Sequence, residues 1–178
     1  MSLSFIKVPE YDLTLSNNNV VKYRPFLIKE EKVLLMAVES KDEAEMNNAL
    51  INIVQSCTLS KIDVTKLAVY DFEYLWLNIR GKSVGEQIDL KLKCPDDDNV
   101  SVDYSLKIED VKPDLNKKFE RKVEFDKDYG VIMKVPTIKH ISNKKTLLDL
   151  SYGLVRDCID QIYNGDEVFE AADLSVKE

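Results

Sequence analysis

At Gln87 the hydrophobic period of this chain changes from 3.6 residues to 2, and that change limits the possible folds more than any other feature. Before it, Met46, Ala49, Leu50, Ile53, Val54 and Cys57 recur at the spacing of one helix face, and Phe72, Leu75, Trp76 and Ile79 do the same. After it, Ile88, Leu90, Leu92 and Cys94 alternate with Asp89, Lys91 and Lys93. Beyond the turn residues Pro95-Asp-Asp-Asp-Asn99, Val100, Val102, Tyr104, Leu106 and Ile108 alternate with polar residues. Two alternating runs joined by turn chemistry define an antiparallel hairpin with one apolar face. An α+β fold is expected.

The other elements fill in that outline. Residues 4–8 read as a short strand or arm, and Val20-Val-Lys-Tyr-Arg24 as a half-buried strand stopped by Pro25. Residues 29–39 predict a helix whose centre, Val33-Leu-Leu-Met-Ala-Val38, is apolar nearly all round, as in a helix at the middle of a core. Ser40-Lys-Asp-Glu43 has capping-box form and announces the next helix. The third helix covers residues 71–80, with Asp71 and Glu73 at its start, Arg80 and Lys82 at its end, and Gly81 as its left-handed stop. A second hairpin is expected from Phe119, Arg121, Val123 and Phe125 on one face, answered by residues 130–135 across Asp126-Lys-Asp128. A last helix is expected from Thr146 to about Tyr163, with Leu147, Leu150, Leu154, Cys158 and Ile162 as its seam and Gly165 as its end.

The sum is a helical core of about four helices carrying an antiparallel ribbon insertion of three to four strands, docked on the helices through its apolar face. The boundaries are 1–86 for the N-terminal strands and helices, 87–136 for the β insertion, and 137–178 for the C-terminal helix and tail. Ser175-Val-Lys-Glu178 is a second capping-box pattern with no helix behind it, which raises the expectation of a longer native chain.

Composition removes several function classes. The net charge of −7 opposes a phosphate backbone or an anionic lipid surface as main partner, so neither nucleic acid nor membrane is expected. Cys57, Cys94 and Cys158 are odd in number and far apart, the pattern of reduced thiols in a cytoplasm-like compartment. No apolar run of signal-peptide kind or of membrane-spanning length occurs.

Catalytic chemistry finds no arrangement to use. His140, the single histidine, has no nucleophile in an elbow context and reads as a polar linker or capping residue. Cys94 lacks the second cysteine of a zinc ribbon. Counting from Asp96, an EF-hand would need glycine and glutamate where Ser101 and Lys107 stand. Gly81-Lys-Ser-Val-Gly85 ends a helix where a phosphate loop would begin one. No catalytic residue, metal or cofactor is expected, and a carboxylate-based enzyme is the weakest reading. What remains is recognition. Phe72, Trp76, Arg80, Lys82 and Glu86 are the residues expected to make a partner contact or to position one, because aromatic and arginine side chains dominate interface energetics.

Two segments carry a family resemblance. Tyr23-Arg-Pro-Phe-Leu-Ile-Lys-Glu-Glu-Lys-Val-Leu-Leu-Met-Ala-Val-Glu-Ser40 and Asp71-Phe-Glu-Tyr-Leu-Trp-Leu-Asn-Ile-Arg-Gly-Lys-Ser-Val-Gly-Glu86 resemble, in that order, two signatures of the T4-like bacteriophage baseplate hub and hub-assembly proteins. The resemblance implies a non-enzymatic structural or assembly component of a contractile-tail baseplate hub, acting through contacts with other phage baseplate or tail proteins. It implies a place in the virion baseplate, reached from the host cytoplasm during assembly. The alternative is a tail-assembly chaperone absent from the mature virion. Homo-oligomerisation is left open. The paired cysteines of many members are reduced here to Cys94, so no family metal role carries over.

Overall fold

The computed structural model describes residues 7–97, 100–113, 120–142 and 149–171, with backbone alone at 149 and 150. It is α+β: among the described residues, helices accompany antiparallel sheets of two, two and four strands. The chain divides into two compact units, Met1–Val64 with Tyr70–Pro113, and Thr65–Val69 with Asp114–Glu178. The sequence-based boundaries group the two hairpins in one insertion; in the structure each hairpin belongs to a different unit.

The first unit opens with β1 (Tyr11–Thr14) and β2 (Val20–Tyr23), paired antiparallel with Tyr11 opposite Tyr23. The sequence reading identifies β2 but not β1. Between them Asn18 takes a left-handed conformation (φ 63°), which asparagine tolerates better than most residues. Leu13, Leu15, Val21 and Tyr23 turn inward from this hairpin. Val54 and Cys57 of α2 (Glu43–Cys57), with Val64, Leu75 and Ile79, are buried in the same unit. Each fully buried Leu, Ile or Val of that set contributes about 1.5–3 kcal/mol as an upper estimate.

Helix α1 (Ile28–Ser40) departs from its expected central position. It packs on α2 along one side, where Glu30 and Ala37 are buried, and leaves Val33, Leu35, Met36 and Val38 exposed. An apolar composition requires burial somewhere, but it does not supply a second neighbouring helix. The expected capping box at Ser40 is also replaced. Ser40 is the last residue of α1, Lys41 takes the left-handed conformation beyond it (φ 56°), and Asp42 caps α2 by accepting from the Ala44 and Glu45 amides at 2.8 and 3.1 Å.

Helix α3 (Val69–Val84) continues a turn past the expected stop at Gly81. Gly81 is buried inside the helix, and Gly85, at φ 151°, is where the helix closes, its amide donating to the Gly81 carbonyl at 3.0 Å. A backbone angle of that sign is costly for residues with a β-carbon, which accounts for glycine at 85.

The ribbon β3 (Gln87–Lys93) and β4 (Ser101–Lys107) has the alternation expected of it, with Ile88 opposite Leu106, Leu90 opposite Tyr104 and Leu92 opposite Val102. Its apolar face is not docked on the helices. Leu90, Leu92, Val102 and Tyr104 are exposed, and only the base of the ribbon, at Ile108, is buried against α3.

In the second unit β5 (Lys122–Asp126) and β6 (Tyr129–Met133) form the second hairpin, with a register shift between Glu124 and Asp126. Phe119 lies outside the described residues. The expected last helix is cut short. A π-type turn at Asp149–Gly153 leads into α5 (Leu154–Asp157), the Cys158 amide closes back on Leu154 and Val155, and β7 (Ile159–Asn164) follows. β7 pairs with β6 and with β8 (Glu167–Glu170), giving the order β5-β6-β7-β8. Gly165, expected to end a helix, instead begins the two-residue loop between β7 and β8, at φ 62°. Helix α4 (Ile138–Ser142) starts with the Thr137 amide donating to His140 Nδ1 at 3.2 Å, so His140 has the expected capping role. Residues 4–6 of the expected arm, 146–148 of the expected last helix and the terminal capping box at 175–178 lie outside the described residues.

Candidate interaction site

The two signature-like segments meet at one junction. Pro25 ends β2 and directs Phe26 onto α3, where its ring stacks on Trp76 with centroids 6.1 Å apart and planes 19° from parallel. The Phe26 amide donates to Ser83 Oγ at 2.9 Å, and the Ser83 hydroxyl donates in turn to the Ile79 carbonyl at 2.6 Å. Ring and backbone of one residue are therefore both fixed to the same helix. The stack adds about 0.5–1.5 kcal/mol beyond simple area burial.

The same segment organises the start of α1. Arg24 donates to Glu30 Oε1 at 3.0 Å and to the Ser56 and Pro25 carbonyls at 3.1 and 2.9 Å, and the Leu27 amide donates to Glu30 Oε2 at 2.8 Å. Burial by itself raises the Glu30 pKa, yet the bonds from Arg24 and the Leu27 amide outweigh it, and the carboxyl lies below its ordinary value. Burial pushes the neighbouring Cys57 thiol up to about 11, against the partial opposition of Arg24. Cys57 is thus an inert core residue and not a nucleophile.

Asp71 has a role that sequence reasoning missed. It is buried near the start of α3, where its carboxylate accepts from the Ser16 amide at 2.9 Å and from Ser16 Oγ at 2.7 Å. This ties the β1–β2 turn to α3. The helix-dipole argument accounts for an acid near a helix start but gives no sign of this distant partner.

The five expected contact residues separate into three environments. Phe72 is 7% exposed, a core side chain that can act only by positioning α3. Trp76 and Arg80, four residues apart, share one margin of the buried stripe, both half-buried. Arg80 Nη1 is buried and has no hydrogen-bond partner among the described residues. Lys82 is rotated about 120° from Trp76 around the helix axis and so lies on the other margin. There it bonds to the Glu86 carboxylate, and its ammonium is 5.0 Å from the centroid of the Tyr11 ring. The Glu86 hydrogen bond, working against burial, raises the Lys82 pKa. Burial raises that of the adjacent Tyr23. Glu86 itself is exposed, so the pair contributes at most about 1 kcal/mol.

Two further surfaces are open: the outer face of α1 and the apolar face of the β3–β4 ribbon. A two-stranded ribbon is marginal on its own in water, and exposed apolar patches of this kind mark interaction surfaces. Among the described residues no group of three or more His, Cys, Asp or Glu side chains could hold a metal ion, and no helix is long and apolar enough to cross a membrane.

Comparison with family models gives one result: the model of the T4 bacteriophage base plate protein family matches residues 8–178, a span that includes both signature-like segments. The chain belongs to that family. Searches among curated proteins and among solved structures found no match.

Proposed function

We propose that this baseplate protein is a non-enzymatic structural or assembly component of the central hub of a contractile tail, bound to other baseplate or tail proteins in the virion. The observation that carries the reading is the pairing of a family match over residues 8–178 with open apolar surfaces on α1 and the β3–β4 ribbon. Trp76 and Arg80 form one contact margin of α3, Lys82 and Glu86 the other, and Phe72 holds the helix in place beneath them. Assembly takes place in the host cytoplasm before the protein is fixed in the particle.

Quantitative proteomics of purified particles tests this reading. A structural subunit is retained at fixed stoichiometry with the other baseplate proteins. Absence from particles, with presence on tail intermediates from infected cells, would replace it with a transient assembly chaperone. The double variant Trp76→Ala/Arg80→Ala tests the site and is expected to abolish hub assembly. Normal assembly and infectivity by that variant would remove α3 from the contact surface.

A further inference from the structure

Helix α1 is held along one side only. Glu30 and Ala37 are buried there and Leu34 is half-buried, whereas on the opposite side Ile28 is 83% exposed, Leu35 58% and Val38 51%. Ile28, Glu31, Leu35 and Val38 follow one another at the alternating three- and four-residue spacing of a coiled-coil seam. The helix is not a loosely attached segment. The Glu30–Leu27 bond caps its first turn and the Glu30–Arg24 pair fixes it to the end of β2.

The charges beside this seam decide what covers it. Lys32 and Glu39 lie one heptad apart on the same flank, both exposed. A two-fold axis crossing α1 between Leu35 and Met36 exchanges positions 32 and 39. A second copy of α1 laid antiparallel across the first therefore sets each Lys32 against the Glu39 of the other copy. The same placement stacks each Leu35 near the Val38 of the other copy, so the two central layers are apolar. A parallel arrangement would instead bring Glu31 against Glu31 within the seam. An unrelated partner has no need of a pattern that is its own complement under a two-fold rotation; a second copy does.

We propose that α1 is a homodimerisation helix, pairing antiparallel with α1 of a second copy through Leu35 and Val38, with reciprocal Lys32–Glu39 ion pairs along one flank. This goes beyond the hub reading and does not depend on it.

Sedimentation velocity on the full chain, with single and combined charge reversals, tests the proposal. Wild type is expected to be dimeric. Lys32→Glu alone creates two Glu–Glu oppositions and Glu39→Lys alone two Lys–Lys oppositions, and each is expected to weaken the dimer by roughly tenfold. The double variant Lys32→Glu/Glu39→Lys is expected to restore it. The decisive measurement is an equimolar mixture of the two single variants, in which every opposition becomes an attraction, so a heterodimer forms from two weakly associating parents. A non-specific loss of fold cannot produce that recovery. A monomeric wild type, single variants that dimerise like wild type, or a mixture that stays as weak as its parents would each overturn the proposal.

Discussion

Ile108 Cδ1 lies 2.8 Å from the point where a β-carbon on Gly81 would stand, so the base of the β3–β4 ribbon rests on α3 at the one residue of that turn without a side chain. Glycine inside a helix costs about 1 kcal/mol relative to alanine, and this contact is what it permits. Gly81→Ala is expected to stay within about 1 kcal/mol of wild type, because the propensity gained offsets a small shift of a flexible methyl group. Gly81→Val should cost about 1–3 kcal/mol. Adding Ile108→Ala should cost less in the Gly81→Val background than in wild type, a coupling that urea melts of the four proteins would measure. Additive costs would show that the ribbon does not bear on Gly81.

Asp71 and Ser16 support a second prediction. Removing the carboxylate leaves the Ser16 amide and hydroxyl without their acceptor. Asp71→Ala should therefore destabilise the protein by about 1–3 kcal/mol, and Asp71→Asn, which keeps one acceptor oxygen, by less. Hydrogen exchange should show faster opening at Ser16 in Asp71→Ala. Unchanged protection there would remove the tie between the turn and α3.

Glu30 makes stability depend on pH. Its folded pKa lies below the unfolded value, so the folded state binds fewer protons through the carboxylate range. The stabilisation is present in full above the unfolded value and is lost as pH falls through the folded one. Glu30→Gln should be less stable than wild type by about 1–3 kcal/mol at neutral pH, and the difference should narrow on acidification. Thermal melts across that range measure it, and a constant difference would contradict the assignment.

Cys57 acts at the other end of the scale. Its folded thiol titrates near 11 instead of the usual 9.0, so its contribution is present below about 9 and is lost as pH rises towards 11. In native protein at neutral pH an alkylating reagent should modify Cys94, which is half-buried, and spare Cys57 and Cys158, which are buried. All three should react in denaturant, as read by intact mass.

Legibility followed from how many physical conditions each segment had to satisfy. Met46, Ala49, Leu50, Ile53, Val54 and Cys57 of α2 fall on one face, and the β3–β4 register is set by alternation on both strands, so both patterns are easily read. The stretch from Leu154 to Ile162 satisfied helical spacing equally well, yet its second half is rich in Ile and Tyr and runs into Asn164-Gly165, a hairpin signal that outweighs the seam. β1 offers only Tyr11, Leu13 and Leu15 in alternation, too short a run to stand out beside the polar turn that follows. The contact residues were legible as a helix but not as one patch, because Phe72 faces the core and Trp76 and Lys82 take opposite margins. The open face of α1 was hidden for a different reason. Hydropathy records how apolar a helix is, and nothing in it records whether this chain supplies a cover.

The short segment Thr65–Val69 lies in sequence between parts of the first unit but pairs within the second, through the Ala68–Thr137 bridge, the Val69 amide on the Pro136 carbonyl and the Ile138 amide on the Leu67 carbonyl. Neither unit is therefore a continuous stretch of polypeptide. During synthesis, residues 65–69 leave the ribosome well before residues 136–138, and this pairing waits while α3 and the β3–β4 ribbon are made. A truncation that removes residues 1–69 spares the second unit's sheet but takes away the backbone partners of residues 136–138. The second unit cannot be cut out as one uninterrupted piece of chain.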